Sequence, residues 1–166
     1  TPPSRVLDTR NGTGGLLGPF TNHHARSFGV AGLPANAIAV TGNLTVTGAT
    51  SGIGHAVAGL FRSAGADVTV TGTKPGASNY DTDLSGMTYR RLVLTDNDSI
   101  DVLAQDISAL DVLVNNAGAN FPGGLDESTP DGFAASVALN LTGPYRLIVA
   151  LRTALRASPA TGGASV

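Results

Sequence analysis

From Asn43 onward, short runs of β-branched and apolar residues alternate with longer stretches in which apolar residues return every three to four positions. The short runs predict strands at Asn43–Thr47, Asp67–Thr71, Arg91–Leu94 and Asp111–Asn115. The longer stretches predict helices at Gly52–Ala64, Ser99–Ile107 and, as one long element, about Asp131 to Arg156. Lys74–Thr88, with Pro75, Gly76 and Gly86, reads as a loop. Strands alternating with helices imply βαβ units and a parallel sheet. In the long helix Phe133, Val137, Leu141, Tyr145 and Ile148 fall at helical spacing and are its expected core face. Ser128-Thr129-Pro130 supplies a cap followed by an early proline. Pro144 lies inside that helix and has no N–H, so the Asn140 carbonyl loses its usual partner and a kink is expected.

Residues 1–42 read differently. They are rich in Gly, Pro, Asn and Thr and carry few helix signals, which divides the chain into a β-rich N-terminal segment, 1–42, and an α/β domain, 43–166. Ile38, Val40, Leu44 and Val46 alternate with smaller or polar residues. That pattern suits a half-buried antiparallel strand better than a central parallel one, which is buried on both faces.

Composition narrows the classes. A chain of 166 residues with 42% hydrophobic and 13% charged residues can bury a real core and is not globally disordered. A net charge of -2 without a basic run argues against nucleic acid as a partner. Without cysteine there are no disulfides and no thiolate metal sites, which fits a cytoplasmic location. No apolar run is long enough to cross a membrane as a helix. His23 and His24 would point to opposite faces of a strand, so no metal site is expected.

The chemistry concentrates at Thr47-Gly48-Ala49-Thr50-Ser51-Gly52-Ile53-Gly54, between the first strand and the first helix. Glycines there allow a tight turn and close approach of a ligand to the backbone. The free N–H groups and positive end of the following helix then face an anion. A pyrophosphate cradle is the expected result.

Three features together resemble the short-chain dehydrogenase/reductase family: Thr47-Gly48-x-x-x-Gly52-x-Gly54, Asn115-Asn116-Ala117-Gly118 after the fourth strand, and Asn140 in the long helix. The likeness runs from about Leu44 to Val166. It implies an incomplete Rossmann-type doubly wound α/β fold, parallel strands in the order 3-2-1-4, with the fourth strand or a short fifth one at the edge. It implies that Gly48, Gly52 and Gly54 form the cradle, that Thr50, Ser51 and Ile53 line it, and that Asn115, Ala117 and Gly118 lie beside the adenine-side ribose. Asn140 would be the helix member of the family's Asn-Ser-Tyr-Lys tetrad, its carbonyl holding a water of the proton relay. An acidic residue ending the second strand would favour NAD. Gly72-Thr73-Lys74 stands there instead, and Thr73 and Lys74 would accept a 2′-phosphate, so NADP is the expected cofactor and NAD the alternative. Val93 stands where the family often places an Asp at the adenine.

The family's Tyr-x-x-x-Lys pair does not occur in these residues, since Lys74 is the only lysine and Tyr80, Tyr89 and Tyr145 have none at that spacing. The expectation is a front half of a reductase of small carbonyl or alcohol substrates, inactive as this chain, with self-association through the long helix. Pro3-Ser4-Arg5-Val6-Leu7-Asp8-Thr9-Arg10 and Asn43-Leu44-Thr45-Val46-Thr47 also resemble a β-rich repeat of secreted bacterial surface proteins, which would place a chimeric junction near residues 46–52. Two alternatives follow, a nucleotide-binding module without catalysis and a secreted β-module in which the glycine loop is only a turn. A helix from Gly52 supports the cradle, and continued strand there supports the β-module.

Overall fold

The computed structural model describes residues 43–160 and 162–166, so the expected β-rich segment of residues 1–42 lies outside the described residues. Four parallel strands, β1 (Asn43–Val46), β2 (Asp67–Gly72), β3 (Thr88–Arg91) and β4 (Val112–Val114), form one sheet in the order β3-β2-β1-β4, as expected. β1 pairs with β2 from Asn43 opposite Asp67 to Val46 opposite Val70, and with β4 from Leu44 opposite Val112 to Val46 opposite Val114. The chain winds outward from β1 to β3, then crosses back to add β4 on the other side. That reversal opens a crevice at the carboxyl ends of β1 and β4, where ligands of open α/β sheets bind. A single parallel bridge from Ser165 to Val112 continues the sheet beyond β4.

Helix α1 (Gly52–Ser63) follows β1 and packs Ala58 against Val46, Val68 and Val70. It starts at Gly52, the outcome required by the cradle and not by the β-module. Helix α2 (Asn97–Asp106) begins at an Asp96 cap whose carboxylate accepts the Asp98 and Ser99 N–H groups. Its Ile100 and Leu103 join Leu113 of β4 in a second core cluster. The last helical stretch comprises α3 (Pro130–Val137), a π-helical turn (Ala138–Thr142), α4 (Gly143–Ala150) and α5 (Arg152–Arg156). Among the described residues no helix is long and apolar enough to cross a membrane.

Three expectations need correction. β3 spans Thr88–Arg91, three residues ahead of the expected Arg91–Leu94, because Thr88–Arg91 holds the register against Thr69–Gly72. Leu92 and Leu94 are buried just beyond it, so the apolar run marks the core entry and not the strand. β1 is not half-buried: Leu44, Thr45 and Val46 are all buried, and Thr45 offers a valine-like β-branched shape to the second face. The expected core face of the long helix is largely exposed, Phe133 at 64%, Leu141 at 66% and Tyr145 at 65%. The core is reached instead by Gly143, Leu147, Leu151 and Ala154. Both stripes are apolar, and Gly143 decides between them: a Cβ there would meet the Leu94 carbonyl oxygen at 2.6 Å, so only glycine lets this side approach the sheet. Finally, Pro144 is preceded by a π turn in which the Gly143 N–H reaches back to Ala138. The helix is irregular just ahead of the proline.

Candidate functional site

The turn after β1 is strapped to both neighbouring strands. Thr47 N–H donates to the Val114 carbonyl at 3.0 Å and Ala49 N–H to the Thr71 carbonyl at 3.1 Å. Gly48 takes φ +60°, and a Cβ there would lie 2.9 Å from Ala117 Cα. The backbone after β4 therefore sits directly on the turn. Gly54 is buried in the first turn of α1, where a Cβ would meet Asn116 Nδ2 at 2.4 Å. Gly52, at φ +58°, has nothing within 4 Å of its Cβ position among the described residues, so the turn is packed at Gly48 and Gly54 and open at Gly52. Ser51 and Ile53 are exposed on that open side, and Thr50 is half-buried. No side chain caps α1, and its first turn holds no acidic residue. The positive end of α1 therefore has no acidic residue of its own first turn beside it.

The loop after β4 is built around two residues. The Thr47 hydroxyl accepts the N–H groups of Asn116 and Ala117, each at 3.0 Å. Asn116 Nδ2 donates to the carbonyls of Thr47 and Gly48, at 3.1 and 3.3 Å. Asn140 holds the loop from the other side: its Oδ1 accepts from Ala119 N–H at 3.0 Å, and its Nδ2 donates to the Ala119 carbonyl at 2.9 Å and to Ser136 Oγ at 3.1 Å. A Cβ on Gly118 would lie 2.8 Å from Asn140 Oδ1, so Gly118 and Asn140 are neighbours. Asn115 is exposed at the end of β4.

Gly48, Gly72, Thr73, Leu92, Ala117 and Leu139 are among the residues lining one small cavity of about 60 Å³ beside the turn. Thr73 and Lys74 are exposed where β2 ends. The Lys74 ammonium donates to the Asn79 carbonyl at 2.7 Å and lies 4.7 Å from the Tyr80 ring centroid. Arg91 Nε donates to the Thr73 carbonyl at 3.2 Å, which sets a second cation against the same turn. Burial raises the Tyr80 pKa, but the donors around its oxygen, the Lys74 N–H first among them, outweigh it and leave the phenol below its ordinary value. Tyr89 is pushed well above its ordinary value, first by burial and then by the Tyr80 phenol beside it.

The structure thus gathers Gly48, Thr73 and Ala117 around one cavity, and Gly118 with Asn140 on the loop behind it. It leaves Lys74 engaged with its own loop. Sequence reasoning assigned no task to Thr47, Asn116, Tyr80, Tyr89 or Arg91. Thr47 and Asn116 stood inside the quoted motifs, so their signal was present. The two tyrosines and Arg91 left none.

A family model described as short chain dehydrogenase matches residues 43–164. L-fucose dehydrogenase of Oryctolagus cuniculus is 34% identical over 110 residues, covering 63% of this chain and 39% of that protein. The 3-oxoacyl-[acyl-carrier-protein] reductase FabG of Vibrio harveyi is 36% identical over 108 residues, covering 61% and 44%. This chain therefore spans less than half the length of either relative. Among solved structures, a short-chain dehydrogenase from Streptomyces avermitilis superposes with a TM-score of 0.57 at 32% identity, over 70% of this chain and 45% of that one. The RhlG/NADP active-site complex of Pseudomonas aeruginosa superposes with a TM-score of 0.61 at 26% identity, over 78% and 53%.

Proposed function

Because the chain belongs to the short-chain dehydrogenase family, we propose that residues 43–166 form the NADP(H)-binding part of an oxidoreductase acting on a small carbonyl or alcohol. The carrying observation is the open side of Gly52: the turn is packed tightly on the protein side by Ala117 and Asn116, while among the described residues nothing lies within 4 Å of a Cβ placed on Gly52. Gly48, Gly52 and Gly54 would shape the turn, and Thr50, Ser51 and Ile53 would offer hydroxyl and backbone donors. Asn115, Ala117 and Gly118 would flank the ribose. Thr73 and Lys74, with Arg91 beside them, would favour a 2′-phosphate over the free hydroxyl of NAD. Bound there, the nicotinamide would give hydride to a carbonyl or take it from an alcohol.

In this reading Asn140 keeps its side chain on the loop and offers its carbonyl to a water. That use is supported by Pro144, which has no N–H to donate to it. No Tyr-x-x-x-Lys pair occurs in these 166 residues, so they are read as binding cofactor without turning it over. The exposed stripe of Phe133, Leu141, Tyr145 and Val149 supports self-association through the long helix. A cytoplasmic location rests on the absence of cysteine alone. The likeness to the RhlG/NADP active-site complex supports NADP as the cofactor of this chain.

The test is calorimetric titration with NADPH and NADH, using a Gly52→Val/Gly54→Val double variant as control. Micromolar NADPH binding that disappears in the variant is expected. A wild-type protein that is folded yet binds neither cofactor would end this reading.

A further inference from the structure

Open α/β sheets that bind dinucleotides grip the adenosine ribose with a side chain at the end of the second strand. Here that place is Gly72, which is buried and carries no side chain. The space is nevertheless filled. A Cβ on Gly72 would lie 2.4 Å from Tyr80 Oη and 2.8 Å from Thr50 Cγ2. The phenol oxygen of a residue eight positions later therefore stands where a strand-end side chain would begin, between Gly72 and the glycine turn.

The phenol is held there by a small network. Lys74 N–H donates to Tyr80 Oη at 2.8 Å. Tyr89 Oη donates to the Lys74 carbonyl at 2.5 Å, so the two tyrosines bracket one residue. Their ring centroids are 5.8 Å apart at 52°. Gly76 N–H donates to Asn79 Oδ1 at 3.0 Å and closes the short turn that presents Tyr80. A phenol oxygen can accept and also donate. With Lys74 N–H filling an acceptor position, the Tyr80 proton can be turned toward a ligand.

We propose that Tyr80 supplies, from the loop, the ribose-side contact that residue 72 lacks, and that it acts as a specificity-determining residue for the 2′-phosphate of NADP(H). This rests on the cofactor reading above. A carboxylate at that place would accept from a free 2′-hydroxyl and repel a phosphate. A neutral phenol donates to the phosphate oxygens instead. Lys74, stacked on the same ring, adds positive charge on the same side.

The experiment is titration of wild type and Tyr80→Phe with NADPH and NADH, with thermal melts to show that both are folded. Loss of a hydrogen bond to a charged phosphate should weaken NADPH binding by about tenfold or more and NADH binding by about twofold or less. An unchanged NADPH-to-NADH ratio overturns the proposal. If wild type binds neither cofactor, the cofactor reading has failed as well, which is a separate result. A second measurement needs no variant. In wild-type protein carrying carbon-13 at the tyrosine Cζ, adenosine 2′,5′-bisphosphate should move the Tyr80 resonance and adenosine 5′-diphosphate should move it much less. Equal shifts with both ligands also overturn the proposal.

Discussion

Asn116 and Thr47 bond to each other twice: the Asn116 N–H reaches the Thr47 hydroxyl at 3.0 Å, and the Asn116 side-chain amide reaches the Thr47 carbonyl at 3.1 Å. One residue opens the glycine turn and the other opens the loop after β4. The pair therefore sets the distance between the two backbones that frame the crevice. Ala117 N–H adds a third bond to the same hydroxyl.

Replacing Thr47 by Val keeps the buried shape and removes the acceptor. Thr47 is 1% exposed, so water cannot readily take over, and the variant should lose about 1–3 kcal/mol of stability. Asn116→Ala should cost a similar amount. The two substitutions remove different hydrogen bonds between the same two backbone segments, and once one set is lost the segments can shift, so the double variant should lose less than the sum of the singles. Urea unfolding of the four proteins checks this, and strictly additive losses would show that the two residues act separately.

The sheet order was legible because four short apolar runs separated by helical periods leave few topologies. The turn into α1 was legible because Gly48, Gly52 and Gly54 fall in one local stretch. The core face of the long helix was not. Phe133, Leu141 and Tyr145 match a helical stripe as well as Leu147, Leu151 and Ala154 do. Periodicity cannot choose between two apolar stripes; the close approach of Gly143 to Leu94 can, and that contact is non-local. Tyr80 was invisible for a similar reason: it lies in a loop, and its position depends on Gly72 having no side chain.

The corrected helix face gives a direct contrast. Leu147 is fully buried, so Leu147→Ala should cost about 2–5 kcal/mol through lost contacts and a residual cavity. Leu141 is 66% exposed, and Leu141→Ala should stay within about 0.5 kcal/mol in dilute monomeric protein. Denaturant midpoints at low concentration decide the matter. A Leu141 variant as damaged as the Leu147 variant would restore the face that periodicity alone favours.

Acid should loosen the edge of the sheet next to β4. Asp111 holds its carboxyl below the usual value through its bond with the Ser158 hydroxyl, and then through Asn43 N–H, which donates to Oδ2 at 2.7 Å. A depressed pKa in the folded state stabilises above the unfolded value, about 3.9, and that contribution is lost as pH falls through the folded value. Melting temperature should therefore fall as pH drops below about 4. In Asp111→Asn the baseline should be lower at neutral pH and the acid-dependent drop smaller. Parallel pH profiles for the two proteins would assign the acid sensitivity to other carboxylates.

Electrostatics at the end of β2 supply a last test, distinct from the Tyr80 hydroxyl. Lys74 and Arg91 are both exposed, and both touch the segment where a 2′-phosphate would sit, Arg91 through the Thr73 carbonyl. Lys74→Gln should weaken NADPH binding by about three- to tenfold and leave NADH nearly unchanged. Arg91→Gln also removes the bond to Thr73, so it should weaken both cofactors, NADPH more. Exposed charge pairs are screened by salt, and the NADPH advantage of wild type should shrink as ionic strength rises from 0.01 M, where the Debye length is about 30 Å, to 1 M, where it is about 3 Å. Titrations at both ionic strengths read the effect. If the NADPH advantage is the same at both, neither cation contacts the phosphate and the preference has to come from neutral hydrogen bonding alone.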